Sequence, residues 1–233
     1  MARPSSRSAR PPRSDSGRRP AAPPTLRLER RFLRSGVARL GAMDEVGRGS
    51  PAGPVHVGLV VVVEEVGHPP PGIRDSKLLT PGARERLVPR IEAWAAEWAI
   101  GRAEPVEIDA LGLTAALRLA GTRALEQLTE PPDTVLLDGN HDWLTEGDPS
   151  GGAWARPEVC TRIKADLTCT SVAAASILAK VARDAVMVGL AEEYPGYGWE
   201  ANKGYATEEH FAAIRTMGTT PHHRHSWRLP EPV

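Results

Sequence analysis

The sequence predicts an α/β fold, in which β-strands and α-helices alternate along one chain. Short apolar and β-branched runs such as Val55 to Val63 and Thr134 to Asp138 have the length of buried strands. Longer segments between them carry helix-start signals, of which Thr80 followed by Pro81 is the clearest. A sequence of 233 residues with 41% hydrophobic residues can supply the core of one such domain.

The same patterns predict the order of the elements. Strands are predicted at Val37 to Asp44, Val55 to Val63, Trp98 to Ala103, Thr134 to Asp138 and Arg162 to Asp166. Helices are predicted from Pro81 toward Trp98, from Glu107 to Gln127, from Val172 to Glu193 and from Thr207 onward. The second of these helices is expected to bury one face, made by Ile108, Leu111, Ala115 and Leu119.

Charge is distributed unevenly along the chain. Basic and acidic residues balance at 29 each, but residues 1–34 contain ten arginines and only two acids. This segment is rich in Arg, Pro and Ser and poor in apolar side chains, so we expect a disordered tail. Such a tail could hold phosphates non-specifically, could resemble an organelle transit peptide or could have no function. One domain is expected over residues 35–228, with a helical C-terminal part from about 185 and a short tail at 229–233.

Composition argues against several classes of protein. The two cysteines, Cys160 and Cys169, supply neither a disulfide framework nor a four-ligand zinc site, and we expect a reducing, cytoplasmic location. The longest apolar run, Val57 to Val63, is far shorter than the roughly 18 residues that a membrane span needs. We therefore expect a soluble monomer without membrane contact.

Four carboxylates follow or interrupt apolar strands: Asp44, Glu45, Asp138 and Asp166. One acid at a strand end is usually a solvated residue or a helix cap. Several acids on neighbouring strands repel one another unless a cation neutralises them. Hard oxygen ligands without His or Cys partners favour Mg²⁺ or Mn²⁺. Two such ions about 4 Å apart would support phosphodiester hydrolysis.

Five stretches, in order, resemble the motifs of the ribonuclease HII family over about residues 38–228. They are Met43 to Val55 (MDEVGRGSPAGPV), Asp75 to Leu79 (DSKLL), Leu137 to Asn140 (LDGN), Ile163 to Asp166 with Ala173 to Asp184, and Tyr194 to Gly198 with Lys203 to Tyr205 and Thr220 to Arg224. The resemblance implies a ribonuclease H-like fold. This fold has a mixed five-stranded sheet flanked by helices, and a helical C-terminal portion that closes over the substrate.

The resemblance also implies roles for individual residues. Asp44, Glu45, Asp138 and Asp166 match the catalytic acids that bind divalent metal, Mn²⁺ or Mg²⁺. The loop Gly47, Arg48 and Gly49 matches the segment that grips an RNA to DNA junction, and Tyr205 matches the tyrosine that packs there. The family hydrolyses the RNA strand of RNA/DNA hybrids and cuts 5′ of single ribonucleotides in duplex DNA. Its products have 3′-hydroxyl and 5′-phosphate ends, which implies a part in ribonucleotide excision, DNA repair and replication.

Further polar residues are candidates for substrate binding. Contacts to the nucleic-acid backbone are expected from Ser76, Lys77, Lys164, Lys180, Arg183 and Arg224, although any one of the charges could simply be solvated. Asp184 is expected to hold Lys180 through i, i+4 spacing rather than to bind metal. A surface or phosphate-facing position is expected for the histidines, since no cysteine accompanies His222, His223 and His225.

Two alternatives remain at this point. Another enzyme of the same fold group, such as a transposase or resolvase, would use similar acids on DNA, but the Gly47 to Gly49 loop and Tyr205 argue against it. A catalytically silent binder of hybrids would lack an acid, and all four acids are present. The departures from the family pattern, Val46, Ala206 and a long loop at 139–157, remove no chemical group.

Overall fold

Five strands form one mixed sheet in the computed structural model, which describes residues 22–145 and 157–232. The strands are β1 (Leu40–Val46), β2 (Val55–Val62), β3 (Glu97–Ala103), β4 (Thr134–Asp138) and β5 (Glu158–Arg162). Their order in the sheet is β3-β2-β1-β4-β5. Strands β1, β2 and β3 pair antiparallel, whereas β4 and β5 run parallel to β1. The predicted α/β fold with a mixed five-stranded sheet is confirmed.

Helices cover both faces of the sheet. They are α1 (Arg27–Arg34), α2 (Pro81–Trp94), α3 (Pro105–Leu111), α4 (Leu113–Leu125), α5 (Ala165–Thr168), α6 (Thr170–Glu193), α7 (Trp199–Asn202) and α8 (Glu208–Met217). Helix α6 packs on one face and α4 on the other, and each closes a separate apolar core. No helix in the described ranges is both long enough and apolar enough to cross a membrane.

The C-terminal helices form a third, smaller core that joins them to the loop after β1. Trp199 of α7 and Ile214 of α8 are fully buried there together with Ala52, which lies between β1 and β2. The predicted helical C-terminal portion is confirmed. Helix α8 begins as predicted, because the Thr207 hydroxyl accepts a hydrogen bond from the His210 amide at 3.2 Å.

Helix α6 lies close to the sheet because small residues face each other. A Cβ atom added at Gly58 of β2 would lie 2.2 Å from the carbonyl oxygen of Ala175 and 3.2 Å from Cβ of Ala179. Only glycine permits this separation. The close approach places the middle of α6 against β1, the strand that carries Asp44.

The predicted disordered tail at residues 1–34 is wrong for its last part. Residues 1–21 lie outside the described residues, but α1 is a helix that packs on the core. Leu26, Glu29 and Leu33 are all buried. Their spacing of three and four residues places them on one helix face. The sequence gives little indication of this face, because one of its three members is an acid and arginine is the commonest residue of the segment.

Glu29 anchors α1 to the start of α6. Its Oε1 atom accepts hydrogen bonds from both the backbone amide and the hydroxyl of Ser171, each at 2.9 Å. The amide belongs to the first turn of α6, where backbone N–H groups have no partner inside the helix. Burial raises the pKa of Glu29, and these hydrogen bonds oppose the shift.

Two predicted boundaries differ from the structure. Strand β1 begins later than Val37 and continues past Asp44, because Asp44 still pairs with Gly58 on β2. The helix predicted at Glu107 to Gln127 is broken at Gly112, whose φ of 79° is not helical.

The break at Gly112 changes which residues are buried. Leu111, predicted to face the core, is 54% exposed, whereas Ala116 and Ala120 of α4 are fully buried. The helical phase restarts after the glycine, so the face predicted for one continuous helix is wrong. In the long loop predicted at 139–157, Trp143 and Leu144 pack against Gly121 of α4, and residues 146–156 lie outside the described ranges.

Replacing Gly58 by alanine should destabilise the protein by about 1–3 kcal/mol, since the new methyl group would meet the Ala175 carbonyl. The measurement is the free energy of unfolding in urea. Gly189→Ala in α6 is the matched control, because nothing lies within 4 Å of a Cβ at that position. The control should gain up to about 1 kcal/mol from helix propensity. Equal stability of the two variants would contradict the close packing.

Candidate active site

Three of the predicted acids meet at one edge of the sheet. Asp44 and Glu45 lie near the end of β1, and Asp138 is the last residue of the neighbouring parallel strand β4. The carboxyl ends of parallel strands open at the same edge. All three acids line one cavity of about 500 Å³. Its other lining residues are Val46, Gly47, Arg48, Gly49, Ser76, Lys77, Ser176, Lys180 and Tyr205.

Asp166 is close to this group but is not at a strand end. The predicted strand at Arg162 to Asp166 is wrong, because β5 ends at Arg162 and Lys164 turns the chain with a left-handed φ of 58°. Asp166 lies in the first turn of α5 and is 5% exposed. The Asp138 Oδ1 atom accepts a hydrogen bond from the amide of Ala165 at 2.6 Å, which ties α5 to the end of β4.

The environment of the acids disfavours their ionisation. Burial raises the pKa of Asp44 to about 8; a hydrogen bond from Ser176 opposes this shift. The neighbouring charges of Glu45, Asp138 and Asp166 contribute to the raised pKa. Burial also raises the pKa of Glu45 and of Asp166. A cation at this edge would relieve the desolvation and the mutual repulsion together.

The donor chemistry of the site fits a divalent metal ion. All four acids present hard oxygen atoms, and Glu45 Oε2 is buried without a hydrogen-bond partner in the described structure. No three acid, His or Cys side chains within residues 22–145 and 157–232 already converge as a metal cage. Instead, the ammonium group of Lys77 lies 3.4 Å from Asp166 Oδ2 and 3.7 Å from Asp75 Oδ1. Although burial opposes it, these acids raise the pKa of Lys77.

The loop after β1 borders the acids. Gly47 has a φ of 88°, and a Cβ there would lie 2.2 Å from Nε of Arg183, so glycine is required. Arg48 is exposed, and its Nη1 atom lies 3.2 Å from Oε1 of Glu45. Gly49 is open, because nothing lies within 4 Å of a Cβ at that position. The ring of Tyr205 completes the cavity, with Arg183 Cζ 5.2 Å from its centroid.

Arg183 does not line this cavity. Its side chain is fully buried, and the prediction of a phosphate contact is wrong. The guanidinium group donates to the carbonyl oxygens of Pro54 at 2.9 Å, Lys203 at 3.0 Å and Ala52 at 3.0 Å. It also donates to the Ser50 hydroxyl at 2.9 Å. Burial lowers the pKa of Arg183.

Arg224 has a similar position, and the prediction of a phosphate contact is wrong here too. Its fully buried guanidinium group donates to the carbonyl oxygens of Gly47 at 2.7 Å, Gly53 at 3.0 Å and Arg48 at 3.1 Å. Burial, together with the nearby charge of Arg183, lowers the pKa of Arg224 to about 9. The two arginines shape the loop that borders the acids.

The remaining predicted cations lie at or beside the cavity. Lys180 lines it and donates to Asp184 at 2.7 Å, which confirms the predicted i, i+4 pair. Lys77 is exposed at the cavity rim, whereas Lys164 is exposed next to α5 and does not line the cavity. Ser76 lines the cavity and is buried.

Ser176 is a cavity residue that had no predicted role. It is buried on α6, it hydrogen-bonds to Asp44, and its hydroxyl oxygen lies 2.9 Å from that of Ser76. The sequence indicates Ser176 only through its hydroxyl group, which is the single polar side chain within Ala173 to Ala179 of a buried helix.

The expected exposure of the histidines is wrong for one of them. His223 is fully buried in an aromatic group with Tyr197 and Trp199, whereas His222 is partly buried and His225 is exposed. Burial lowers the pKa of His223 to about 4, so the ring is neutral near pH 7.

Hydrogen bonds fix the tautomers of two buried histidines and connect them to Tyr205. The Thr220 amide donates to Nδ1 of His223 at 2.9 Å, so His223 carries its proton on Nε2. That proton points to Nε2 of His210 at 3.1 Å, which also accepts from Nε1 of Trp199 at 3.1 Å. His210 therefore donates from Nδ1 to the carbonyl oxygen of Tyr205 at 2.9 Å. This chain of bonds holds the backbone at Tyr205.

The fold and site together define a class. A mixed five-stranded sheet with acids gathered at the ends of adjacent parallel strands is the arrangement of ribonuclease H-like nucleases. The model of the family described as ribonuclease HII matches residues 40–229, and the chain belongs to the ribonuclease HII family. It is accordingly a ribonuclease H, a hydrolase that depends on divalent metal and acts on RNA/DNA hybrids.

Similar proteins support this assignment. A ribonuclease HII of Streptomyces avermitilis is 46% identical over 209 residues, which covers 89% of this chain and 85% of that protein. The crystal structure of ribonuclease H2 from Pyrococcus horikoshii OT3 matches with a TM-score of 0.64 and 26% identity, covering 81% of this chain and 93% of that one. The fold is shared by Bst-RNase HIII in complex with Mn²⁺, with a TM-score of 0.60, 20% identity and coverage of 89% and 69%.

Asp44→Asn should change how the stability of the metal-free protein depends on pH. The folded state holds the Asp44 proton up to about pH 8, whereas the unfolded chain releases it near the ordinary aspartate pKa of 3.8. The unfolding free energy of the wild type therefore falls as pH rises through this window. The variant should lose this share of the decline, which is at most about 1.4 kcal/mol for each pH unit in the window. Urea unfolding with a chelator from pH 4 to 8.5 measures it, and parallel curves would contradict the assignment.

Arg224→Lys should lower stability and activity although it retains the charge. A lysine ammonium cannot reproduce the forked bonds to Gly47, Arg48 and Gly53, which leaves buried carbonyl groups unpaired at a cost of about 1–3 kcal/mol. Melting temperature and hybrid cleavage measure the two effects. Arg48→Lys is the matched control and should leave the melting temperature unchanged, because Arg48 is exposed. An unchanged melting temperature for Arg224→Lys would show that the loop does not need these bonds.

Proposed function

We propose that the enzyme cuts on the 5′ side of single ribonucleotides embedded in duplex DNA, as well as within the RNA strand of hybrids. The products would carry 3′-hydroxyl and 5′-phosphate ends. The observation that carries the proposal is the shared cavity in which Asp44, Glu45 and Asp138 meet the Gly47 to Gly49 loop and Tyr205. The same cavity therefore contains groups for hydrolysis and groups that can contact a sugar.

The acids Asp44, Glu45, Asp138 and Asp166 would hold the metal, for which we propose Mn²⁺ or Mg²⁺. Two bound ions would supply an activated water and stabilise the leaving oxygen of the phosphodiester. Support comes from the all-oxygen donor set and from the buried Glu45 Oε2 atom without a partner. The ion pair of Lys77 with Asp166 shows that this edge already attracts positive charge.

Recognition of the ribonucleotide is assigned to the Gly47 to Gly49 loop and Tyr205. The 2′-hydroxyl is the chemical mark that separates a ribonucleotide from its DNA neighbours, so recognition must occur close to the sugar. Gly49 leaves space for a backbone or sugar to approach. The Tyr205 ring borders the same cavity, and the His210 bond to its carbonyl oxygen fixes its backbone. A fixed aromatic ring can pack on one sugar geometry and exclude others.

The backbone of the nucleic acid needs cations along its path. We assign phosphate contacts to Lys77, Lys180 and Lys164, with Ser76 as a neutral partner. Lys77 and Lys180 line the cavity, and Lys164 is exposed beside the α5 helix that carries Asp166. Asp184 holds the Lys180 ammonium group near the Tyr205 ring, with Nζ 5.5 Å from the ring centroid.

The test is cleavage of a DNA duplex that contains one ribonucleotide. The wild type with Mn²⁺ or Mg²⁺ should cut 5′ of the ribonucleotide, and a chelator should stop the reaction. Asp138→Asn should abolish cleavage while binding persists, because asparagine removes the charge but keeps an Oδ1 atom that can accept the hydrogen bond from the Ala165 amide. Tyr205→Ala should lower the rate on this duplex by roughly tenfold or more, which corresponds to at least about 1.4 kcal/mol of transition-state stabilisation.

Tyr205→Phe is the matched control, since it keeps the ring and should retain most of the rate. Chemical mapping of the product ends checks the predicted 3′-hydroxyl and 5′-phosphate. A Tyr205→Ala rate equal to that of the wild type would mean that the ribonucleotide is recognised elsewhere. Full cleavage by Asp138→Asn would contradict the assignment of the acids.

A further inference from the structure

A second cleft, separate from the cavity of the acids, is lined by arginines. It has a volume of about 690 Å³ and lies between α1 and the segment that joins β5 to α6. The guanidinium groups come from Arg27, Arg31 and Arg34 of α1 and from Arg162 at the end of β5. No acid lines this cleft within the described residues. We call it the arginine cleft.

These four arginines lack counter-charges within residues 22–145 and 157–232. None of them forms an ion pair there, whereas Arg39, Arg84 and Arg123 elsewhere in the fold all pair with acids. The acid of α1, Glu29, points into the core and bonds Ser171. Arg27 and Arg31 are four residues apart on one helix, a spacing at which like charges repel. An anion bound in the cleft would remove that repulsion.

The cleft is held in place by the fold rather than by a loose terminus. Thr25 forms a strand-like bridge with Cys169, and its amide donates to the carbonyl oxygen of Thr168 at 3.2 Å. Glu29 and Leu33 fix α1 on the core from the opposite side. The arginine backbones are therefore fixed before any ligand arrives, which lowers the entropy lost on binding.

The arginine cleft adjoins the acids along the chain and in the sheet. Arg162 is the register partner of Asp138 on the neighbouring parallel strand, so their backbones lie about 4.8 Å apart. Thr168, which accepts a hydrogen bond from Arg162 Nε at 3.2 Å, lies on the same short helix as Asp166. A nucleic-acid strand with one phosphate at the acids has further phosphates every few ångströms along its length. The cleft is placed to receive one of them.

We propose that the arginine cleft binds backbone phosphate of the hybrid duplex beyond the scissile bond. Guanidinium groups suit this ligand, because their forked donors match phosphate oxygens. The cleft adds four cations to Lys77 and Lys164, on a body whose charge is otherwise acidic. It fixes where the duplex lies but carries no sequence information. The proposal rests on a duplex being the substrate.

The experiment measures binding of a hybrid duplex over a range of salt concentrations. All proteins carry Asp138→Asn so that the duplex stays intact. Adding Arg31→Ala and Arg34→Ala should flatten the plot of log K against log salt by about 0.9 for each phosphate that is no longer bound, and so by one to two in total. Arg30→Ala is the matched control, because Arg30 is exposed on the same helix but does not line the cleft. Its slope should remain that of the parent.

A second arm locates the bound phosphate on the duplex. Shortening the duplex stepwise from one end should remove the difference between the parent and the double variant, and shortening it from the other end should preserve it. Equal slopes for the double variant and Arg30→Ala would overturn the proposal, as would a difference that persists after shortening from either end. Binding needs no chemistry, so these results stand whether or not the enzyme cuts at single ribonucleotides. Far-UV circular dichroism checks that α1 remains folded.

Discussion

The shape of the loop that borders the acids depends on two guanidinium groups, which are buried without a carboxylate ion-pair partner in the part of the chain that the structure describes. Arg183 and Arg224 bond instead to the carbonyl oxygens of the 47–54 loop, and Arg183 also reaches Lys203 from the C-terminal portion. Burying a charge is costly unless its donors are satisfied, and here the backbone satisfies them. The loop, α6 and the chain before Tyr205 are thereby fixed relative to one another. Any displacement of one segment would leave charged donors unpaired in a dry interior.

Charge is segregated around this framework. The acids of β1 and β4 line the cavity, where burial holds the pKa of Asp44 near 8, whereas the buried arginines bond to the carbonyl oxygens of the loop. Burial disfavours the charged form both of these acids and of the two arginines. This arrangement suits the hydrolysis of a polyanion, because a divalent cation and the phosphates that it attracts would meet the acids in the cavity. The neutral hydrogen-bonded pair His210 and His223 supports Tyr205 without adding charge to the border.

Much of the fold could be predicted because strand and helix periodicity is local. The sheet, the long α6 helix and three acids at one edge all followed from runs of apolar residues and the motifs beside them. Other features depend on distant contacts. The role of Arg183 and Arg224 could not be read from their charge, since only packing decides whether an arginine meets water or carbonyl groups. Asp166 was predicted on a strand but lies on a helix, because Lys164 adopts a left-handed conformation that no sequence pattern indicates.

Helix α1 packs on the core, although it lies before the region that the family shares. The family match starts at residue 40, after this helix has ended. A chain that began at residue 40 would lack Glu29, which accepts hydrogen bonds from the first turn of α6. It would also expose the apolar surface that Leu33 covers. The loss of these contacts would also disturb Asp166, which lies just before the first turn of α6. Residues 27–34, which lie before the shared family region, thus help to hold in place the edge of the sheet where the acids gather.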